Sequence, residues 1–326
     1  MHLKETTMAG TLKPGWSRPS IILFASELPA NDKAFSFALA QAEESGADLI
    51  LFHAYDTLVV SASEASGIRY YDYAAAARLE REQLEPLADR AQEAGIACEV
   101  VVRPGLPADE ILAYSCERQI DRIVMGTHSP GPIGKLLVGS VAEAVLRRAT
   151  VPVCIVGPEV VEGKYRNFAT RTILCAASLN EGSTVVAAFA ADLAWQHNSR
   201  LILEHVIRPQ DRIQALSGHS IDEIEAQVVA LVPERMQSQI ELQTVVVPGD
   251  PTEELLYQSR AQQADLIVLG AQEASAFAAA TRHGVVYKVL AHAQCPVMTL
   301  SPMVLAECGP REVREHLDEI YMAGVF

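Results

Sequence analysis

The chain has 326 residues, a length that at about 150 residues per domain predicts two compact units. Lys and Arg number 26 against 41 Asp and Glu, so the formal charge of −15 argues against nucleic acid or anionic membrane as a partner. With 49% hydrophobic and 21% charged residues the composition is that of a globular protein, and no apolar run reaches the ~18 residues needed to span a bilayer.

Residues 1–20 lack the apolar core of a secretory signal, so 1–17 reads as a flexible leader and the cytoplasm is the expected location. In the first half, short apolar runs at 21–25, 49–54, 98–102, 123–126 and 151–156 read as strands. Helical patterns at 32–45, 73–94, 108–118 and 140–148 separate them. Strands alternating with helices imply parallel pairing through right-handed crossovers. Gly46, Gly95 and Gly157 fall where helices or strands should stop. Residues 158–169 carry no strong pattern and read as a linker.

The chain then repeats itself. The run Ile21 to Ser26 (IILFAS) matches Ile173 to Ser178 (ILCAAS), and Leu49 to His53 (LILFH) matches Leu201 to His205 (LILEH), both at an offset of 152. Further on, Pro104-Gly105 matches Pro248-Gly249, Asp121 to Gly126 matches Asp265 to Gly270, and Val151-Pro152-Val153 matches Cys295-Pro296-Val297, all at an offset of 144. The eight-residue difference places an insertion in the first half, around 59–73. The expected boundaries are a first domain at 18–157, a second at 170–302, and a C-terminal segment at 303–326. Within that segment, 310–323 forms an amphipathic helix with Val313, Leu317, Ile320 and Tyr321 on one face. The six cysteines, at 98, 116, 154, 175, 295 and 308, include no Cys-x-x-Cys and read as buried reduced thiols.

The stretch 123–156 carries the chemistry. A strand ending in Gly126 runs into a Gly- and Pro-containing loop, and Gly139-Ser140 then opens a helix. A helix start presents free backbone N–H groups and a positive dipole end, and glycines let backbone approach an anion closely, so the pattern suits a phosphate. In a doubly wound sheet this loop also leaves the C-terminal end of a strand, where ligands of such sheets bind. No metal-ligand spacing, nucleophile elbow or Walker A sequence is present. The helix at 73–94 carries Glu80, Glu82, Glu85 and Asp89 among its arginines, which argues against a nucleic-acid platform.

At these residues the sequence resembles the universal stress protein family in a tandem form, over about residues 18–302. ATP-binding members carry Gly-x2-Gly-x9-Gly-(Ser/Thr), which Gly126, Ser129 and Gly139-Ser140 match with one substitution. The resemblance implies an α/β fold of two tandem doubly wound five-stranded parallel sheets, Rossmann-like and of the adenine nucleotide alpha hydrolase type. It also implies pairing of the halves as a pseudo-dimer through the edge strands 151–156 and 296–300. The ligand implied is ATP or another adenine nucleotide, with Mg accompanying it, in the first domain. Its contacts there would be Met125, Gly126, Gly139, Ser140 and Val141, with Leu49 near the base and His128 and Lys135 supplementing them by charge. Ser26 stands where ATP-binding members have an Asp, and Ser129 where they have a Gly. In the second half Ser178 is expected at the Asp position, and Glu273, His283 and Gly284 fill the remaining motif positions, so no nucleotide is expected there.

Three functions stay open on the sequence. The first is a regulatory binding protein of the stress response, without catalysis; the second is a ligand-free scaffold for an unknown protein partner, with or without a homodimer. The third is a slow ATPase, for which His128 is the one candidate base. His53 and His205 recur at strand ends and read as side chains hydrogen-bonded to a nearby loop.

Overall fold

The computed structural model describes residues 17–55, 73–127, 138–161, 170–180, 182–209, 220–270, 284–301 and 304. Residues 1–16 of the leader, nearly all of the expected insertion, His128, Ser129, Lys135, Glu273, His283 and the helix expected at 310–323 lie outside the described residues. The chain divides into two compact units, one of Arg18–Ala169 with Leu290–Met298 and one made largely of Thr170–Val289.

In the first unit the elements are β1 (Ile21–Ala25), α1 (Asp32–Ser45), β2 (Asp48–Tyr55), α2 (Tyr73–Glu93), β3 (Cys98–Pro104), α3 (Pro107–Glu117), β4 (Arg122–Gly126), α4 (Ser140–Arg148) and β5 (Val153–Val156). Their strands lie in the order β3-β2-β1-β4-β5, and each adjacent pair is parallel. Ile22, Leu23, Phe24, Leu49, Leu51, Phe52, Ile123 and Val124 have no exposed surface. Burial on both faces of the sheet is what turns these strands into continuous apolar runs. The order steps outward from β1 to β3 and then jumps to β4 on the other side of β1. That jump opens a crevice between the C-terminal ends of β1 and β4, where loops diverge to opposite faces.

The second unit is built from β6 (Thr172–Ala176), α5 (Ser183–His197), β7 (Arg200–Ile207), α6 (Ile221–Ala230), α7 (Glu234–Gln237), β8 (Glu241–Pro248), α8 (Pro251–Ala261), β9 (Leu266–Gly270) and the start of α9 (Val285–His292), which β10 (Val297–Leu300) follows. Here β9-β6-β7-β8 repeats the order β4-β1-β2-β3 with parallel pairing. The two short helices α6 and α7 stand where the first half has the single 21-residue α2.

Backbone hydrogen bonds correct one sequence equivalence. Ser26 N donates to Phe52 O at 2.8 Å and His53 Nδ1 donates to Ser26 O at 2.9 Å. In the second half Ala177 N donates to Glu204 O at 2.8 Å and His205 Nδ1 donates to Ala177 O at 2.6 Å. Ala177, and not Ser178, therefore stands where Ser26 does. The slip of one is taken up in the helix that follows, because α1 has 14 residues and α5 has 15. Both helices end on a left-handed cap, Gly46 at φ 72° and Asn198 at φ 52°, and from there the 152 offset holds.

A buried polar pair distinguishes the halves. Arg122 on β4 has no exposed surface and donates through Nη1 to Oε1 of Gln41 on α1, itself 2% exposed. Burial lowers the Arg122 pKa to about 10. The matching residues of the second half are Leu266 and Leu193, both 1% exposed.

Candidate functional site

A cavity of about 460 Å³ lies at the crevice between β1 and β4. Phe24, Ala25, Ser26 and Glu27 line it from the end of β1, Phe52, His53 and Ala54 from β2, and Met125, Gly126 and Thr127 from β4. Pro107 and Ile111 of α3 and Val141 of α4 complete the wall, with Pro29 and Asn31 from the β1–α1 loop. The size and the apolar lining with few polar groups are those of a small-molecule site.

Asn31 ties this site together. Its side chain caps α1 by accepting from Ala34 N at 3.1 Å, and its Nδ2 donates to Thr127 O at 3.3 Å. A Cβ on Gly126 would come within 2.7 Å of that Nδ2, so glycine at the end of β4 makes room for the clamp. Gly139, the N-cap of α4, offers no side-chain cap, and no atom of the described residues comes within 4 Å of where its Cβ would stand. The first amides of α4 lack intrahelical acceptors and carry the positive end of the helix dipole.

His53 is held by two contacts. A carbonyl can only accept, so Nδ1 carries the proton toward Ser26 O, while Nε2 stands 3.7 Å from Glu80 Oε2. Ser26 Oγ donates to Glu27 O at 2.7 Å. Ser26 and His53 thus meet through a backbone carbonyl and not as a hydroxyl and its base.

The second unit holds a matching cavity of about 410 Å³ at the ends of β6, β7 and β9. Pro251, Leu255, Leu269, Gly270 and Val285 repeat Pro107, Ile111, Met125, Gly126 and Val141. The exception is the floor. Where the first half has Phe52, its ring 5.1 Å from that of Tyr114, the second has Glu204. Glu204 is 1% exposed, and neither carboxylate oxygen has a hydrogen-bond partner among the described residues. Burial, with the charge of Glu254 on α8 adding to it, raises its pKa to about 8.

The family model described as universal stress protein family matches residues 20–157 and again 169–301. The chain belongs to the universal stress protein family. Universal stress protein YxiE of Bacillus subtilis is 30% identical over 131 residues, which cover 38% of this chain and 88% of that protein. A universal stress protein of Thermus aquaticus is 32% identical over 125 residues, with the same coverage of 38% and 88%. One such relative therefore corresponds to about one half of the chain. A universal stress protein crystal structure from Archaeoglobus fulgidus covers 87% of this chain and 97% of its own at a TM-score of 0.67 and 19% identity, a likeness of fold.

Of the residues implied by the resemblance, the first universal stress protein domain brings Ser26, Met125, Gly126 and Val141 together around one cavity. Gly139 and the exposed Ser140 precede Val141 at the start of α4. Leu49 does not join them. It is fully buried at the N-terminal end of β2, three residues and roughly 10 Å along the strand from Phe52. His128 and Ser129 lie outside the described residues. Sequence reasoning missed Asn31, Phe52 and Glu204. The signal for the last was the exchange of Phe for Glu inside the otherwise identical runs LILFH and LILEH. Among the described residues no three His, Cys, Asp or Glu gather as a metal site.

Proposed function

We propose that this universal stress protein binds an adenine nucleotide, ATP among the candidates, in its first domain, as a regulatory ligand. The observation that carries the proposal is the 460 Å³ cavity at the β1–β4 crevice, flanked by the uncapped start of α4. Phe24, Phe52, Ile111 and Met125 offer a planar base an apolar slot, and the amides at Ser140 and Val141 offer phosphate oxygens donors. Among the described residues no Lys or Arg lines the cavity, and the start of α4 supplies a positive field there. In the second domain Glu204 replaces the aromatic Phe52, and the charge of Glu254 beside it opposes an anionic ligand.

Isothermal titration and thermal melts with ATP, ADP and AMP, each with and without Mg, test the proposal. A Kd of ~10 µM would stabilise the liganded domain by about 2.7 kcal/mol at ~1 mM nucleotide. Val141→Glu suits a helix start and keeps the fold, yet places a like charge against the phosphates and should weaken binding about tenfold or more. Absence of both heat and stabilisation at millimolar nucleotide overturns the proposal and favours the scaffold reading.

A further inference from the structure

We propose that the cavity of the second domain is a binding site for a small organic cation, whose protonated nitrogen ion-pairs with Glu204 while its hydrocarbon part lies on Ile207, Leu255, Leu269 and Val285. The first domain shows what an apolar version of this floor looks like, since Phe52 fills the matching place and stacks on Tyr114. A carboxyl set there without a partner costs on the order of 1–3 kcal/mol in an otherwise satisfied interior. A ligand that supplies the missing donors recovers that cost as affinity.

The surroundings select the class of ligand. Anions are disfavoured by the charge of Glu254 on α8, which acts on Glu204. Metal ions lack a ligand set, because no second and third carboxylate, thiol or imidazole joins Glu204 among the described residues. The remaining lining is mixed, with Ile207, Leu255, Leu269 and Val285 as its apolar part and Ser178 and Asn180 toward the β6–α5 loop, which suits a cation with a hydrocarbon body. His205 and Arg208 also line the cavity. His205 is the next residue on β7, so its side chain leaves the other face of the strand and donates to Ala177 O. Arg208 follows the last residue of β7, and the charge that acts on Glu204 is that of Glu254.

Benzamidine is a suitable probe, with benzamide as its neutral isostere, both titrated calorimetrically against the full chain. Benzamidine should bind and benzamide should not. Glu204 is held largely protonated at neutral pH, and a cation binds the ionised form, so affinity should rise about tenfold per unit from about pH 6 and level off above about pH 8. Close to one proton should be released on binding at neutral pH, read from titrations in two buffers of different ionisation enthalpy. Glu204→Gln should lose at least about tenfold in affinity together with the proton release, and Glu204→Phe, which copies the first domain, should not bind. Thermal melts establish that both variants fold, and ATP titrations of the same samples report the first cavity separately. Equal binding of benzamide, unchanged affinity in Glu204→Gln, or no benzamidine binding at ~10 mM overturns the proposal.

Discussion

Replacing Glu204 by Gln should flatten the pH dependence of stability in the second unit. In the folded chain this carboxyl titrates at about 8 against 4.5 for an exposed one, because burial and Glu254 both disfavour its charge. Between those values the native state holds a proton that the unfolded chain has released. The sign follows: stability is highest below the unfolded pKa, falls as pH rises, and levels off above the folded pKa. Each pH unit inside the window removes about 1.4 kcal/mol, and the whole passage removes on the order of 5 kcal/mol. At an m-value of about 1.5 kcal/mol per molar urea, the midpoint should fall by about 1 M per pH unit. Urea unfolding followed by fluorescence of Trp195 on α5, with Trp16 replaced by Phe, reads the second unit. The difference in slope between the parent and Glu204→Gln isolates this group from the self-repulsion of the net charge. Equal midpoint shifts in the two proteins between about pH 5.5 and about pH 7.5 would refute the reasoning.

Two further outcomes test the packing of the units. Arg122→Leu alone takes the Arg122 donor from the buried Oε1 of Gln41 and should cost about 1–3 kcal/mol in urea unfolding. Arg122→Leu with Gln41→Leu reproduces the Leu266 and Leu193 pair of the second half and should be neutral, or stabilising by about 1–4 kcal/mol; a double variant no better than the single one would count against the equivalence. With Cys308 replaced by Ser, a disulfide reagent should modify the exposed Cys116 first in the native protein. Burial pushes Cys98 up to about 11 and Cys175 up to about 12, and raises Cys154 as well, so these thiols should stay unmodified until denaturant is added. Native modification of Cys154 or Cys175 at the rate of Cys116 would contradict their burial.

The strands were legible because burial on both faces leaves an apolar run, and the end of α1 was legible because Gly46 marks it, while the structure adds the cap at its start, Asn31. The repeat was legible from residue identity, but identity misled at its finest scale. In the runs IILFAS and ILCAAS, aligning serine with serine hides a shift that only the bonds to Phe52 and Glu204 reveal. The glycine of β4 was found for its promise of anion contact, while its packing against Asn31 depends on a loop and a strand more than ninety residues apart. Strand direction alone sets Leu49 apart from the cavity, since it lies near the start of β2 and ligands of parallel sheets gather at the C-terminal strand ends. Glu204 escaped because a single charged residue in a strand reads as solvent-facing until its neighbours on both sides are known to be covered.

The one-residue difference between α1 and α5 bears on how parts of this chain can be exchanged. Both helices enter and leave at equivalent points of their units, yet an added residue turns the side chains beyond it by 100°. Such a change of phase is tolerated in α5 because small alanines at 187, 190, 191 and 194 sit on its buried sides. A graft of α1 into the second half keeps its phase if spliced at its start or at its end, not at both, and the joint has to absorb a deletion. A graft of β2 for β7 meets no such obstacle, since its register is pinned by the histidine-to-carbonyl bond that both copies share. Strand exchange is therefore the cleaner route for moving Phe52 and Glu204 between the two cavities.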